Sequence, residues 1–438
     1  MLAKLARIIL ISDQQGAEFI DRRDQAVHRL KAGVSVWFPG GGAESPFIFD
    51  NTWGGLASCG CDYNGTSSSC NNAFPDCPAL SDQGSNFGFS FFNDHHFHLG
   101  YHIYASAVAG TFDHAWLRTH WESVLLYVRD IANPSRHDPH FPPFRHKDWY
   151  LGFSWASGVV TILNQPYPNG RNEESSAEAV AAYEAVALLG QSGMDAFNTK
   201  QAKSGEDSAH PSSSAPLPSL TPEEVEEWDA KYETAQRIYD FGRLLMSTEI
   251  RSAHRYWHVR ASPAPRVYPE VYEPKVVGML WSTLAQEQTW FGAEPWKSYG
   301  IQLMPTTPAA EQRDDPAWVA EMLGPFNASC SSDPTCESGG WSIPVLMSMA
   351  TAGHVAEAWK GLNALSDSVF QTAGGNGHSR SNCLWWIATR PPPPPPSPGE
   401  SPSAAGATAS AHHRLIFLIV VLAAMTTAAA VGYYLCFS

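Results

Sequence analysis

Asn93-Asp94-His95-His96-Phe97-His98-Leu99-Gly100-Tyr101-His102 brings one carboxylate, four imidazoles and two aromatic rings into ten consecutive residues. Threaded onto one helix, Asp94, His98 and His102 fall at i, i+4 and i+8 and share a face. Burying such a face costs free energy unless its groups pair, bind a metal or meet a substrate. The metal reading takes Asp94, His98 and His102 as three ligands of a metal-dependent hydrolase; no H-E-x-x-H motif or matching Cys/His partner accompanies them. In the plainer reading, His95 and His102 hydrogen-bond within a polar core.

A second acidic group stands at Asn172-Glu173-Glu174-Ser175-Ser176-Ala177-Glu178-Ala179. Glu174 and Glu178 are four apart at a helix start, where an acidic first turn on a solvated surface would also place them. Their Ser, Ala and Val neighbours read instead as a packed helix. Two carboxyls from separate helices are what glycoside hydrolysis requires: one protonates the leaving oxygen, and the other activates water or attacks the sugar. Their environments must push the two pKa values apart. Desolvation would hold Asp94 protonated and a neighbouring imidazolium would oppose it, so the sequence leaves the sign open.

Helices must carry these groups. Residues 1–38 read as two helices divided at Ser12-Asp13 and ended by Pro39-Gly40-Gly41-Gly42. Residues 39–90 read as a long irregular segment, which in a compact domain is usually functional. The central helix is expected over 94–110, where Ala105, Ala107, Ala109 and Gly110 suit close helix packing. Further helices are expected over 115–131, 155–163 and 173–189. Another opens at Thr221-Pro222-Glu223-Glu224, with an N-cap, Pro at N1 and an acidic first turn, and runs to about residue 258. Residues 198–220 read as a disordered Ser/Pro-rich insertion. Helix follows helix, with little period-2 alternation. That pattern predicts a mainly α domain whose loops carry the site, and serial helical hairpins suit a toroid.

The formal net charge of −15 argues against nucleic acid as a partner, because phosphate binding needs a basic surface. Cys59, Cys61, Cys70 and Cys77 crowd one loop, and Cys330 and Cys336 flank another. The first spacing is not a zinc spacing, so two disulfides in the first loop and one in the second are expected, with three connectivities open among the first four. Sequons at Asn64 and Asn327 beside these clusters favour an oxidising secretory compartment. Residues 1–11 read as an amphipathic helix rather than a signal peptide. Residues 391–414 read as a Pro/Ser/Ala-rich linker. Residues 415–435 carry no charge and are long enough for a transmembrane helix, or for a lipid-anchor signal. Attachment to the cell surface, or secretion, is the expectation.

Several blocks resemble glycoside hydrolase family 81, the endo-β-1,3-glucanases. The longest are Phe92-Asn93-Asp94-His95-His96-Phe97-His98-Leu99-Gly100-Tyr101, Phe144-Arg145-His146-Lys147-Asp148-Trp149 and Asn172-Glu173-Glu174-Ser175-Ser176-Ala177-Glu178-Ala179. Weaker ones are Phe49-Asp50-Asn51-Thr52-Trp53-Gly54-Gly55, Thr248-Glu249-Ile250-Arg251-Ser252, Thr289-Trp290-Phe291-Gly292, Gly300-Ile301-Gln302-Leu303-Met304-Pro305 and Trp385-Trp386-Ile387-Ala388-Thr389. The resemblance spans nearly all of residues 1–390. It implies an (α/α)6 toroid and endo-hydrolysis of β-1,3-glucan (laminarin, callose or wall glucan) by inversion, with no cofactor and no required metal. It makes Asp94 the general acid and Glu174 the general base, with Glu178 and His98 as supporting site residues. Substrate contacts are expected at Asp50, Trp53, His96, Tyr101, Lys147, Asp148, Trp149, Trp155, Asn172 and Trp290. For the aromatics, core packing competes with sugar stacking; for Lys147 and Asp148, a structural ion pair competes. A monomer is expected.

Departures from the pattern carry expectations of their own. The family places a β-sandwich and a small α/β domain before the toroid, whereas this chain reads as beginning inside it, so a front part is expected to be missing. Glu173 stands where glutamine is usual, and a charge there would raise the pKa of the adjacent base. Leu151 and Phe153 stand where Glu and His are common, which would alter a subsite. A catalytically weakened glucan-binding or cell-wall-associated protein is the alternative function.

Overall fold

The computed structural model describes residues 1–64, 69–159, 165–200, 220–261, 267–371 and 377–391. Its first two helices are α1 (Leu2–Asp13) and α2 (Ile20–Ser35). The segment expected to be irregular holds two short antiparallel hairpins. One pairs β1 (Phe47–Asp50) with β2 (Gly55–Ser58), and the other pairs β3 (Tyr63–Asn64) with β4 (Ser69–Cys70). Four-residue strands are too short for alternation to register as a pattern. Disulfides Cys59–Cys77 and Cys61–Cys70 nest within this segment, and Cys330–Cys336 closes the later loop, so the two-plus-one partition holds and one connectivity is selected. Cys383 is free and buried.

The site is built on the next helices: α3 (His95–Phe112), α4 (His114–Ala132), α5 (Ser176–Ala196) and α6 (Pro222–Ser252). α3 packs on α4 and α5, and α5 lies along α6. The small residues make this possible: a Cβ on Gly100 would stand 2.6 Å from the Ala182 Cβ, so the α3–α5 crossing requires glycine there. Leu99, Ile103, Val108, Leu117, Val124, Val186 and Leu189 fill the space between these helices. Each such burial contributes about 1.5–3 kcal/mol. α6 opens with a capping box: Glu224 N–H bonds the Thr221 hydroxyl and Thr221 N–H bonds the Glu224 carboxylate.

Two expected helices differ. Residues 155–158 have no helical structure; they run extended beneath Asp94, and the rest of that expected helix lies mostly outside the described residues. The helix expected from residue 173 starts at Ser176, because Asn172 and Glu173 form β5. This strand pairs with β6 (Met279–Trp281), which pairs with β7 (Ala285–Gln286).

Shorter helices complete the chain: α7 (Pro295–Ile301), α8 (Ala310–Arg313), α9 (Pro316–Ser331), α10 (Pro334–Ser338), α11 (Ser342–Thr351), α12 (Val355–Ala364) and α13 (Arg380–Ala388). The last meets the first, the closure a toroid requires. Arg7 on α1 donates to Asn382 Oδ1 at 2.9 Å, and its guanidinium stacks 4.1 Å over Trp385. The mainly α class holds. The core of the Ser/Pro insertion (201–219) and nearly all of the linker and apolar tail (392–438) lie outside the described residues. Among the described residues, no helix is long and apolar enough to cross a membrane.

Candidate active site

Asp94 does not sit within α3. It is the residue before it, in the left-handed conformation at φ 57° and ψ 21°. Asn86, Phe87 and Phe92 are also at positive φ, so strain is concentrated in the approach to this carboxyl. Such conformations persist only where surroundings enforce them. Here the Asp94 N–H donates to Ala156 O at 2.9 Å, and its carbonyl accepts the His98 N–H at 3.1 Å. The face Asp94-His98-His102 therefore does not form. The His98 ring packs 5.6 Å from Phe87 and 5.5 Å from Phe89. The His102 ring lies 5.2 Å from Trp37 and 5.3 Å from Phe47. The metal reading thereby loses its ligand set.

Glu174 lies between β5 and α5, not on the first turn of α5. Ser175 is the N-cap, its hydroxyl accepting the Glu178 N–H at 3.3 Å. Gln302, fully buried, accepts from the Ser176 N–H at 3.1 Å and from its hydroxyl at 2.7 Å, and donates to the Glu174 carbonyl. The backbone N–H of Trp290 donates to Glu174 Oε1 at 2.7 Å. Glu178 accepts a 2.6 Å hydrogen bond from the Tyr101 hydroxyl.

Burial raises all three carboxyls, each with different neighbours. Burial raises Asp94 well above the usual aspartate value, and the nearby Glu178 and Glu174 charges raise it further. His98 does not oppose this as an imidazolium, since burial lowers it to about 4. Burial raises Glu174 to about 7, the Trp290 N–H pulling the other way and Glu178 adding to the rise. Glu178 is raised by burial and held down by Tyr101 and Ser175. The charge expected from Glu173 is not among the influences that raise Glu174, because burial and the surrounding acids disfavour a charge on Glu173 itself. Glu173 is directed into the interior toward His96.

The other expected substrate residues divide into two groups. Trp53, Trp149 and Trp290 are 54%, 44% and 49% exposed, so their rings are available for stacking. Tyr101 is a hydrogen-bond donor to Glu178 rather than a platform. Asp50 holds its own turn, accepting the Thr52 and Trp53 N–H groups. Lys147 is buried with all three ammonium protons in use, on Gly152 O, Thr248 Oγ1 and Glu249 Oε1, so the ion-pair reading replaces substrate contact. Asp148 accepts from the Tyr150 and Leu151 N–H groups and from the Trp155 indole, which shapes the loop. Trp155 itself is buried against Phe153. Phe153 packs on Trp257 in the core, so it lines no subsite. Asn172 is buried, and its backbone bridges Ala156 and Ser157. His96 is buried behind the site.

Among the described residues, one set has metal-ligand geometry: His95, Asp130 and His146, with ligand atoms within 4.8 Å of one another. His95 already spends both nitrogens, at 2.7 Å from Asp130 Oδ1 and 2.7 Å from Phe89 O. Asp130 also accepts the Leu56 N–H, and the Arg145 guanidinium stands 3.7 Å away. A cation would meet a resident cation and occupied lone pairs, so these residues do not fit a metal.

Sequence reasoning missed Tyr167, Trp281, Gln302 and Glu249. Tyr167 and Trp281 join Trp290 in a ring cluster with centroids 5.4–5.6 Å apart. Burial raises the Tyr167 phenol, and the Asp94 charge adds to the rise. Trp281 also lines an open cup of about 480 Å³ with Tyr268, Tyr272, Thr283 and Leu284. Gln302 and Glu249 each stood inside a recognised block, a signal that could have found them; Tyr167 stood in a Pro-rich loop with none.

The profile of the glycosyl hydrolase family 81 C-terminal domain matches residues 1–204 and 227–387. A glucan endo-1,3-beta-D-glucosidase of Glycine max is 27% identical over 405 residues, covering 89% of this chain and 48% of the relative. The primary septum glucan endo-1,3-beta-D-glucosidase of Schizosaccharomyces pombe is 27% identical, covering 85% and 30%. A solved glycoside hydrolase family 81 structure from Clostridium thermocellum superposes with a TM-score of 0.62 at 24% identity, covering 88% of this chain and 43% of that one. The chain thus spans about half or less of the length of these relatives.

Proposed function

The chain belongs to glycosyl hydrolase family 81, and from that premise and the carboxyl geometry we propose that it hydrolyses internal β-1,3-glucan linkages by inversion. The observation that carries this reading is the pair of buried carboxyls brought to one site in different surroundings. Asp94 is raised by burial and by its acidic neighbours, while Glu174 stands at about 7 with a backbone N–H on its oxygen. Asp94, protonated, gives its proton to the glycosidic oxygen as that bond breaks. Glu174, ionised, takes a proton from a water whose oxygen attacks the anomeric carbon from the opposite face. Glu178, held by Tyr101, keeps Asp94 protonated through its charge. Trp290, backed by Tyr167 and Trp281, is the stacking platform nearest this chemistry.

Laminarin hydrolysis followed by NMR tests the reading. Release of α-anomeric product, with kcat falling about 10²–10⁴-fold in Asp94→Asn and in Glu174→Gln, supports it. Laminarin binding without turnover in the unaltered chain would instead make this a glucan-binding protein. Attachment to the cell surface through residues 415–435, charge-free in sequence, belongs to the same proposal. Equal recovery in the soluble fraction of the full chain and of one ending at Arg390 would refute it.

A further inference from the structure

Behind the three site carboxyls lies a fourth acid that the proposed reaction does not use. Glu173 and His96 are both 0% exposed. Glu173 Oε2 stands 3.5 Å from His96 Nε2. Neither carboxyl oxygen and neither ring nitrogen has a hydrogen-bond partner among the described residues. Buried polar groups left in this way are costly, and charged ones far more so. The two groups face each other, and each supplies what the other lacks.

The charges around them decide the form. Glu173 faces Glu249 from α6, Asp94 from the start of α3, Glu178 from α5 and Glu174 from its own segment, and all four oppose a negative charge on it. Around His96 stand Lys147, Arg171, His95 and His98, which oppose a positive charge on the ring. The His146 and Tyr183 rings complete its walls at 5.3 Å and 6.4 Å. Lys147 is spent on Glu249 and two neighbouring oxygens, so it does not pair with Glu173. Burial penalises both ions of the pair and neither neutral partner.

We infer that Glu173 and His96 form a net-neutral buried pair, the carboxylic acid O–H of Glu173 directed to the lone pair of His96 Nε2, and that this pair is a positioning element for Glu174. It anchors from within the two-residue strand that presents the base. It also keeps another negative charge away from Glu174, which must ionise. The positioning role rests on the reading of Glu174 as the base; the protonation state does not.

Glu173→Gln, isosteric with the acid and permanently neutral, is the test in the full chain. A carboxyl raised on folding stabilises fully below its unfolded value near 4.5, and that stability is lost as pH rises toward the folded value. Urea unfolding from pH 4 to 8 is therefore expected to show the folded-to-unfolded ratio of Glu173→Gln gaining on the unaltered chain, by up to about tenfold per pH unit above pH ~5. At neutral pH, an infrared carboxylic-acid carbonyl band is expected to vanish in Glu173→Gln and to survive in Asp94→Asn. The acidic limb of the pH–rate profile is expected to stay in place. In the unaltered chain, nitrogen NMR of His96 should report a neutral ring between pH 5 and 8, a readout that needs no variant to fold. An imidazolium signal, no band lost, a variant least stable relative to the unaltered chain at pH 6–7, or an acidic limb moved to lower pH would each overturn the inference. If the chain hydrolyses no glucan, the function above fails, while unfolding, infrared and NMR still decide this pair.

Discussion

The Tyr101 phenol on α3 donates a 2.6 Å hydrogen bond to Glu178 Oε1 on α5, tying the helix that follows Asp94 to the helix that follows Glu174. This side-chain contact links the two segments that carry the chemistry, on helices already packed through Gly100 and Ala182. Tyr101→Phe removes a hydrogen bond to a charged group, worth about 1.5–3 kcal/mol. The Glu178 carboxyl then rises further, because Tyr101 is the main influence holding it down. Laminarin kinetics are expected to show kcat falling about tenfold or more with KM little changed; an unchanged kcat would remove Tyr101 from the machinery.

The pH–rate profile should be bell-shaped. Glu174 acts as the ionised base, so activity falls as pH drops below about 7. Asp94 acts as the protonated acid and is raised well above the usual aspartate value. Activity therefore falls again on the alkaline side as Asp94 loses its proton. Glu174→Gln with residual turnover should lack the acidic limb. A profile in the unaltered enzyme that stays flat from pH 5 to 8 would contradict the assignment.

Trp290 serves through two separate atoms sets, and substitution can divide them. Its backbone N–H holds Glu174 at 2.7 Å, while its ring is 49% exposed. Trp290→Ala keeps the N–H and loses the ring, so KM should rise more than kcat falls. Trp290→Pro removes the N–H as well. Its additional loss should appear in kcat, with the acidic limb moved to higher pH, because that hydrogen bond favours the ionised form of Glu174.

Lys147 and Glu249 form a buried ion pair at 2.8 Å, both side chains 1% exposed. Lys147→Met leaves Glu249 charged and unpaired, and a loss of about 3–5 kcal/mol is expected in urea unfolding. Lys147→Met combined with Glu249→Leu should recover much of that loss, since neither charge then remains buried. A substrate role for Lys147 would appear instead as a raised KM with unchanged stability.

How much was legible follows from how local each feature is. The capping box at Thr221 and Glu224, the small-residue face of α3 and the two-plus-one partition of the disulfides depend on neighbours in sequence, so residue order reveals them. Asp94 was misplaced by a single residue. Helical spacing carries no sign of a left-handed N-cap, which is imposed here by the Ala156 carbonyl from another segment. Glu174 was misplaced because Ser175 and Glu178 read equally well as helix interior until β6 pairs with β5.

By itself, then, the sequence determined the helical class, for which residue type and period are enough. It also offered Asp94, Glu174 and Glu178 as the expected site carboxyls, through the resemblance of their blocks to a family. Only the tertiary structure decided which carboxyl faces which, that Lys147 is consumed by Glu249, and that Glu173 turns inward to His96 while Glu174 turns to Trp290. Those outcomes depend on burial and on partners far away in the chain. Desolvation and Coulomb interactions act through space, not along the chain.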